Sequence, residues 1–407
     1  MPERCPSKPI SYTEQVILFA LMTSLIALSI DAMLPALAAI EADLMITDPN
    51  GRQYIVVSLF AGLALGFFIF GPISDSMGRK GPIYVGFGIF MVGCLLSIFS
   101  TSFEVMLVGR FLQGLGAAAP RVISIAIIRD QFEGRAMARF MSLVMTVFIL
   151  VPVLAPGMGQ IMIMVLDWRA IFWAMFILGV ITSFWFALRQ VETLPAPKRS
   201  HFSVSRIRLS IAEILTNRTS FGFTILAGFV FSSFLVYLST AQQIFQDQYG
   251  VGDLFPVYFG ALALAVGGAS FTNSALVMKL GMRNLVRTAL WALSALSAVY
   301  LVVALLTAGQ PPLWSLMIYL LFLFFCLGIL FGNVNAMAME PMGHIAGIAS
   351  AVVSSISTVQ SVIIGTLIAQ TYDGTILPLV SGFFGLGLVS LVVFYVTDRK
   401  SSPAPSP

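Results

Sequence analysis

Apolar runs of about 20 residues, the length one α-helix needs to cross a bilayer, begin near Val16, Tyr54, Ile83, Val105, Phe140 and Ala170. Others begin near Phe221, Val257, Val286, Leu313, Ile348 and Ile376. No other feature constrains the chain as strongly. Backbone in lipid must satisfy its hydrogen bonds internally, so the runs are helices, and the expected fold is an all-α membrane protein with twelve transmembrane helices. Only 10% of the 407 residues are charged, against roughly 25% in a soluble domain, too few to clothe a water-soluble globule. The spans use most of the chain, so no appended soluble domain is expected. Val16 to Pro35 exceeds a signal-peptide core in length and is read as a retained first span.

The runs fall as six, a break, and six. The break holds Pro195, Pro197 and a cluster of basic residues, giving an N-terminal bundle (1–188), a linker (189–219), a C-terminal bundle (220–400) and a tail (401–407). Met77-Gly78-Arg79 after the second span is echoed by Gly281-Met282-Arg283 after the eighth, and Gly134-Arg135 by Gly343-His344. Such echoes suit two pseudo-symmetric six-helix bundles with a substrate site between them near the midplane. With both termini inside, eighteen of the 22 Lys and Arg fall in cytoplasmic segments and only Arg52 and Arg169 fall outside, as the positive-inside rule requires. Acidic residues from Glu41 to Asp48, with Asp247, Asp253 and Asp373, fall outside. A net charge of +4 is then loop placement, and no nucleic-acid partner is expected.

Several chemistries are disfavoured. Cys5, Cys94 and Cys326 share no CxxC or CxxH neighbourhood, and His201 and His344 are the only histidines. A metal site, a disulfide and an intramembrane metalloenzyme therefore find no support. No P-loop is present. The chain is expected to be no enzyme and to need no cofactor, drawing energy from an ion gradient.

Ionisable residues deep in spans mark functional sites by default, and three occur: Asp31, Arg110 and Arg121. Asp31, about five residues before the exit of the first span, is the only acidic residue within an apolar run. A carboxyl there can take and release a proton as its surroundings alternate; the alternatives are a permanent ion pair with Arg110, or wetting from outside. Eleven residues separate Arg110 from Arg121, which returns them to one helix face roughly 16 Å apart. Gln113, Gly114 and Ala117 share that stripe, which must face the bundle or a watery cavity. Arg121 either binds an anionic cargo group or snorkels toward the cytoplasm.

Gly71 to Lys80 forms a short turn containing Asp75, Gly78 and Arg79, read either as a working loop or as a charged loop obeying the orientation rule. Pro152, Pro156, Gly157 and Gly159 in the fifth span suggest a kink or hinge. Tyr237, Gln242, Asn333 and Asn335 are candidate pocket-lining residues for a ring-bearing substrate.

Gly71-Pro-Ile-Ser-Asp75-Ser-Met-Gly78-Arg79-Lys80 resembles the signature loop between helices two and three of the major facilitator superfamily. Arg110-Phe-Leu-Gln113-Gly114-Leu-Gly116 resembles the fourth-helix motif of its drug:proton antiporters, and Leu154-Ala-Pro156-Gly157-Met-Gly159 the antiporter motif. Ile30-Asp31-Ala-Met-Leu-Pro35 and Met339 to Gly347 are most similar to the bicyclomycin/chloramphenicol-resistance (Bcr/CflA) branch. Met158 and Gln160 depart from the antiporter pattern, and Arg121 matches no family motif. The resemblance implies a multi-pass, monomeric transporter of the bacterial inner (cytoplasmic) membrane, performing proton-coupled multidrug efflux by alternating access. Its partners would be a lipophilic drug or metabolite, protons and the lipid bilayer. Asp31 would then handle protons or substrate, and Arg110 would relay protons. Asp75 and Arg79 would latch the inward-closed state, with Asp130 as partner, while Pro156 and Gly157 would shape the antiporter interface. A dedicated exporter of one organic acid or amino acid, and a non-transporting receptor on a transporter scaffold, are the competing readings.

Overall fold

The computed structural model describes residues 10–199 and 203–398; Cys5, His201 and the tail lie outside them. Among the described residues there is no strand. Twelve long helices follow: α1 (Tyr12–Asp31), α2 (Gln53–Met77), α3 (Lys80–Ile98), α4 (Phe103–Gln131), α5 (Gly134–Val165), α6 (Arg169–Arg189), α7 (Arg218–Gln242), α8 (Phe255–Leu280), α9 (Met282–Leu306), α10 (Leu313–Met339), α11 (Ala346–Ala369) and α12 (Leu377–Asp398). The apolar stretch Leu313–Ala369 is two spans, because Met342 breaks helical geometry between them (φ −107°, ψ 21°).

The ends are set locally. Ser11, Ser102 and Asn217 accept hydrogen bonds from the first turns of α1, α4 and α7, satisfying otherwise orphaned amides. Large apolar side chains stay exposed along the spans, such as Ile161 and Met164 on α5 and Phe184 on α6. Buried polar groups and exposed apolar ones together suit lipid as the outer solvent.

Contacts repeat with an offset of six helices. In the first half α2 packs on α4, α3 on α4 and α6, and α1 on α5; in the second, α8 packs on α10, α9 on α10 and α12, and α7 on α11. Across the halves α2 meets α11 and α5 meets α8, again an equivalent pair. The sequence echo is conformational too: Gly78 and Gly281 end α2 and α8 with φ of +95° and +77°, a region that favours glycine.

Two features differ from expectation. The first span does not end at Pro35: that residue sits second in a 3-10 turn (Leu34–Ala36), and helix resumes through Leu37–Asp43. A proline at the start of a turn lacks an N–H that would have no partner there anyway, so it permits continuation. The linker contains a helix, Val204–Thr216, seated through Ile211 and Ile214.

Candidate functional site

Between the halves lies a cavity of about 530 Å3. Its walls come from α1, α2, α4 and α5 and from their counterparts α7, α8, α10 and α11. Apolar side chains dominate the wall, with aromatic rings among them such as Phe60, Phe148, Phe231, Tyr237, Phe324 and Phe331, and the Tyr237 hydroxyl has no hydrogen-bond partner. The cavity runs from Asp31 to Asp75, Arg129 and Gly347 at the end where the linker lies.

Asp31 is 5% exposed and lines this cavity. It is the last residue of α1, but twelve more residues of turn and helix follow it to Asp43, so it lies deeper than a span ending at Pro35 would place it. A methyl group on Gly159 would fall 1.8 Å from the Ala32 carbonyl oxygen, so only glycine lets α5 hold this segment of α1 so closely. No described residue pairs with the Asp31 carboxyl.

Arg110 is not that partner. It is fully buried and donates to the Ser29 carbonyl (2.7 Å), the Ile55 carbonyl (3.2 Å) and Gln113 Oε1 (2.5 Å), with its guanidinium 5.8 Å from the centre of the Phe172 ring. It ties α4 to the backbones of α1 and α2. Gly114 faces the Leu59 carbonyl, 1.9 Å from where a Cβ would stand. The stripe predicted on α4 thus divides: its upper part packs into protein, and Arg121 faces the cavity. Arg121 lies 5.1 Å from the centre of the Phe148 ring, and its enclosed Nη1 has no partner.

At the linker end, Arg79 donates to Asp75 (2.6 Å), Asp130 (2.8 Å) and Ser74 (3.1 Å). Burial opposes its charge, but the hydrogen bonds and proximity of Asp130 and Asp75 prevail and raise its pKa. Glu192 accepts from the amides of Arg79 (2.9 Å) and Lys80 (3.1 Å), so the linker caps α3. Although desolvation raises the Glu192 pKa, bonds from the amides of Leu194, Arg79 and Lys80 outweigh it and the net shift is downward. Gly71 stands where a Cβ would lie 2.8 Å from that of Ala351, at the α2–α11 contact.

The opposite end is sealed by bonds between halves. Arg52 pairs with Glu41 (3.1 Å) in its own half and with Asp247 across the boundary. Asn50 donates to the carbonyls of Gln370 and Tyr372, both at 3.0 Å, and Gln53 donates to Gln243 (2.7 Å). Gln160 donates to Asp253 (2.7 Å). Gln243 and Asp247 lie on a π-helical turn, Gln243–Gln248, a local distortion often found at working positions. Sequence reasoning missed this seal; the amide-rich run Gln242 to Gln248 at a span end was its available signal.

Of the residues expected in the pocket, Tyr237 and Asn335 line the cavity and Gln242 and Asn333 do not. Gln242 turns to Gln246 (2.8 Å) at the sealed end, and Asn333 bonds Asn273 (2.6 Å) between α10 and α8. Each amide finds a nearer amide partner, and a buried amide is held by such a bond. Pro152 lines the cavity, whereas Pro156 sits inside α5, which continues from Gly134 to Val165. A Cβ on Gly157 would meet nothing nearer than Pro256 at 3.9 Å. Among the described residues, no cluster of His, Cys, Asp and Glu is suited to a metal ion.

A paired-bundle scaffold around a central cavity has a clear counterpart among known proteins: the Major Facilitator Superfamily model matches residues 19–366. The chain belongs to the major facilitator superfamily. It is a multi-pass membrane transporter for a small molecule, and not an enzyme. It is 29% identical over 386 residues to the MFS-type transporter YdgK of Bacillus subtilis, covering 94% of this chain and 95% of that one. It is 28% identical over 393 residues to a bicyclomycin resistance protein homolog of Haemophilus influenzae (95% and 96%). To the multidrug resistance protein MdtL of Shigella dysenteriae it is 28% identical over 330 residues, 79% of each chain. The crystal structure of a D-xylose–proton symporter superposes with a TM-score of 0.76 at 13% identity, covering 97% of this chain and 100% of that one, a likeness of fold alone.

Proposed function

We propose that this chain exports drugs in exchange for protons, by alternating access, from the cytoplasmic membrane of a bacterium with both termini inside. The observation that carries this reading is Asp31, a carboxyl with no partner among the described residues, set in the wall of an aromatic cavity between two bundles. Such a group can exchange a proton as the cavity turns from one side to the other. The far end is closed by Arg52, Asn50 and Gln53, while the cavity extends toward the linker end, and a cavity closed at one end supports the alternating-access reading. The names of the bicyclomycin-resistance and MdtL relatives support drugs as cargo. Susceptibility profiling in a host stripped of other pumps tests it: expression should protect against several unrelated drugs, and an uncoupler should abolish protection. Protection that survives the uncoupler contradicts proton coupling.

One observation favours a second reading, a dedicated exporter of an acidic metabolite: the unpartnered Nη1 of Arg121 in the cavity wall. That reading requires no protection against any drug in the panel.

A further inference from the structure

We propose that the cavity is shaped for a ring-bearing zwitterion, whose anionic group pairs with Arg121 and whose cationic group occupies the Asp31 end. The inference rests on the exporter reading and specifies its cargo.

Two ionisable side chains of opposite sign face the same cavity, and neither is neutralised by the protein. Arg121 makes no ion pair with a described carboxylate; its guanidinium rests over Phe148 and its enclosed Nη1 donates to nothing. An enclosed charged donor left unpaired is costly, and a ligand carboxylate would satisfy it with a charge-assisted bond. Asp31 likewise has no described partner. The pair cannot serve each other, because Asp31 lies two residues from the Ser29 carbonyl that holds Arg110, and Arg121 is eleven residues further along α4, roughly 16 Å by helical rise. The other charged residues lining the cavity, Asp75 and Arg129, are at its linker end, where Asp75 is bound to Arg79.

The cavity that Asp31 and Arg121 share is apolar and rich in rings, with Phe60, Phe231, Phe324 and Phe331, together with the unpartnered Tyr237 hydroxyl. A neutral lipophile would fit the rings and leave both charges unmet. A simple cation would satisfy Asp31 and strand Arg121. A simple anion would satisfy Arg121 without competing with a proton at Asp31, so exchange would not follow. A zwitterion meets both ends, and its cationic group competes with the proton while its anionic group fixes orientation.

The test uses the purified full chain in detergent and three matched probes. These are a fluoroquinolone carrying a free carboxylate and a free piperazine amine, its ethyl ester, and its N-acetyl derivative. Wild type should bind the zwitterion at least about tenfold more tightly than either derivative, the increment of one charged hydrogen bond. Arg121→Gln should reduce zwitterion affinity to that of the ester and leave ester binding unchanged, while Arg121→Lys keeps the preference. Asp31→Asn should erase the difference between the zwitterion and the N-acetyl derivative. Equal wild-type affinity for zwitterion and ester overturns the proposal without any variant, as does binding of none of the three. Equal loss of ester and zwitterion in Arg121→Gln also overturns it and makes Arg121 a packing residue. Because binding is read without a gradient, failure here leaves uncoupler-sensitive export of the ester free to stand.

Discussion

Replacing Arg110 with methionine separates a tether from a proton relay. In the structure the guanidinium spans three neighbours, donating to the carbonyls of Ser29 on α1 and Ile55 on α2 and to Gln113 on its own helix. Hydrogen bonds to charged groups contribute about 1.5–3 kcal/mol each, so loss of the two interhelical bonds should cost roughly 3–6 kcal/mol if they add. Methionine fills similar volume and restores neither bond. Its desolvation cost is smaller than that of a buried cation, which moves the expected loss toward the lower end of that range. Unfolding of purified protein in detergent measures the effect, and Arg110→Lys, which keeps charge but cannot span three acceptors, should fall between wild type and methionine. If Arg110→Met unfolds like wild type yet fails to transport, the tether argument is refuted and a role in proton movement takes its place.

Arg52→Ala should loosen the far-end seal by stranding Glu41 and Asp247; spin labels at Thr47 and Thr371 should then report a larger share of long distances, and an unchanged distribution would count against the seal. Gly159→Val should abolish transport, since even a Cβ there meets the Ala32 carbonyl at 1.8 Å; normal transport at equal expression would show that α1 and α5 separate freely. Glu192→Gln should destabilise the chain at neutral pH by weakening the cap on Arg79 and Lys80. Because the Glu192 pKa is lowered on folding, its contribution is fully present above the unfolded value of 4.5 and is lost as pH falls through the folded value, so the gap from wild type should close only in acid. A gap that closes between pH 6 and 8 would assign the effect elsewhere.

Much of this architecture is written in hydropathy and charge. The spans, the linker and the basic turns obey rules that act within one segment, and the φ of Gly78 and Gly281 shows that even the short repeat echo was structural. What the sequence hid depends on which segments meet. Asp31 and Arg110 share a depth, but the carbonyls of Ser29 and Ile55 reach the guanidinium first, and carbonyls carry no signature in a sequence. Asn333 and Gln242 have the polarity of pocket residues; their nearest partners, Asn273 and Gln246, turned them away. Arg52 looked like an exception to the orientation rule, and only the folding of α7 into a π-helical turn beside it reveals a latch between halves. Pro35 misled for a local reason, since proline ends a helix interior but is harmless at the start of a turn.

The central claim is that Asp31 carries the exchanged proton, and reconstituted vesicles test it most directly. Wild-type protein, given an imposed pH gradient and a drug against which it protects cells, should accumulate that drug against its own gradient, approaching about tenfold per pH unit for each proton exchanged. Asp31→Asn should equilibrate the drug between the two sides and never concentrate it. Accumulation by Asp31→Asn equal to that of wild type would contradict the account.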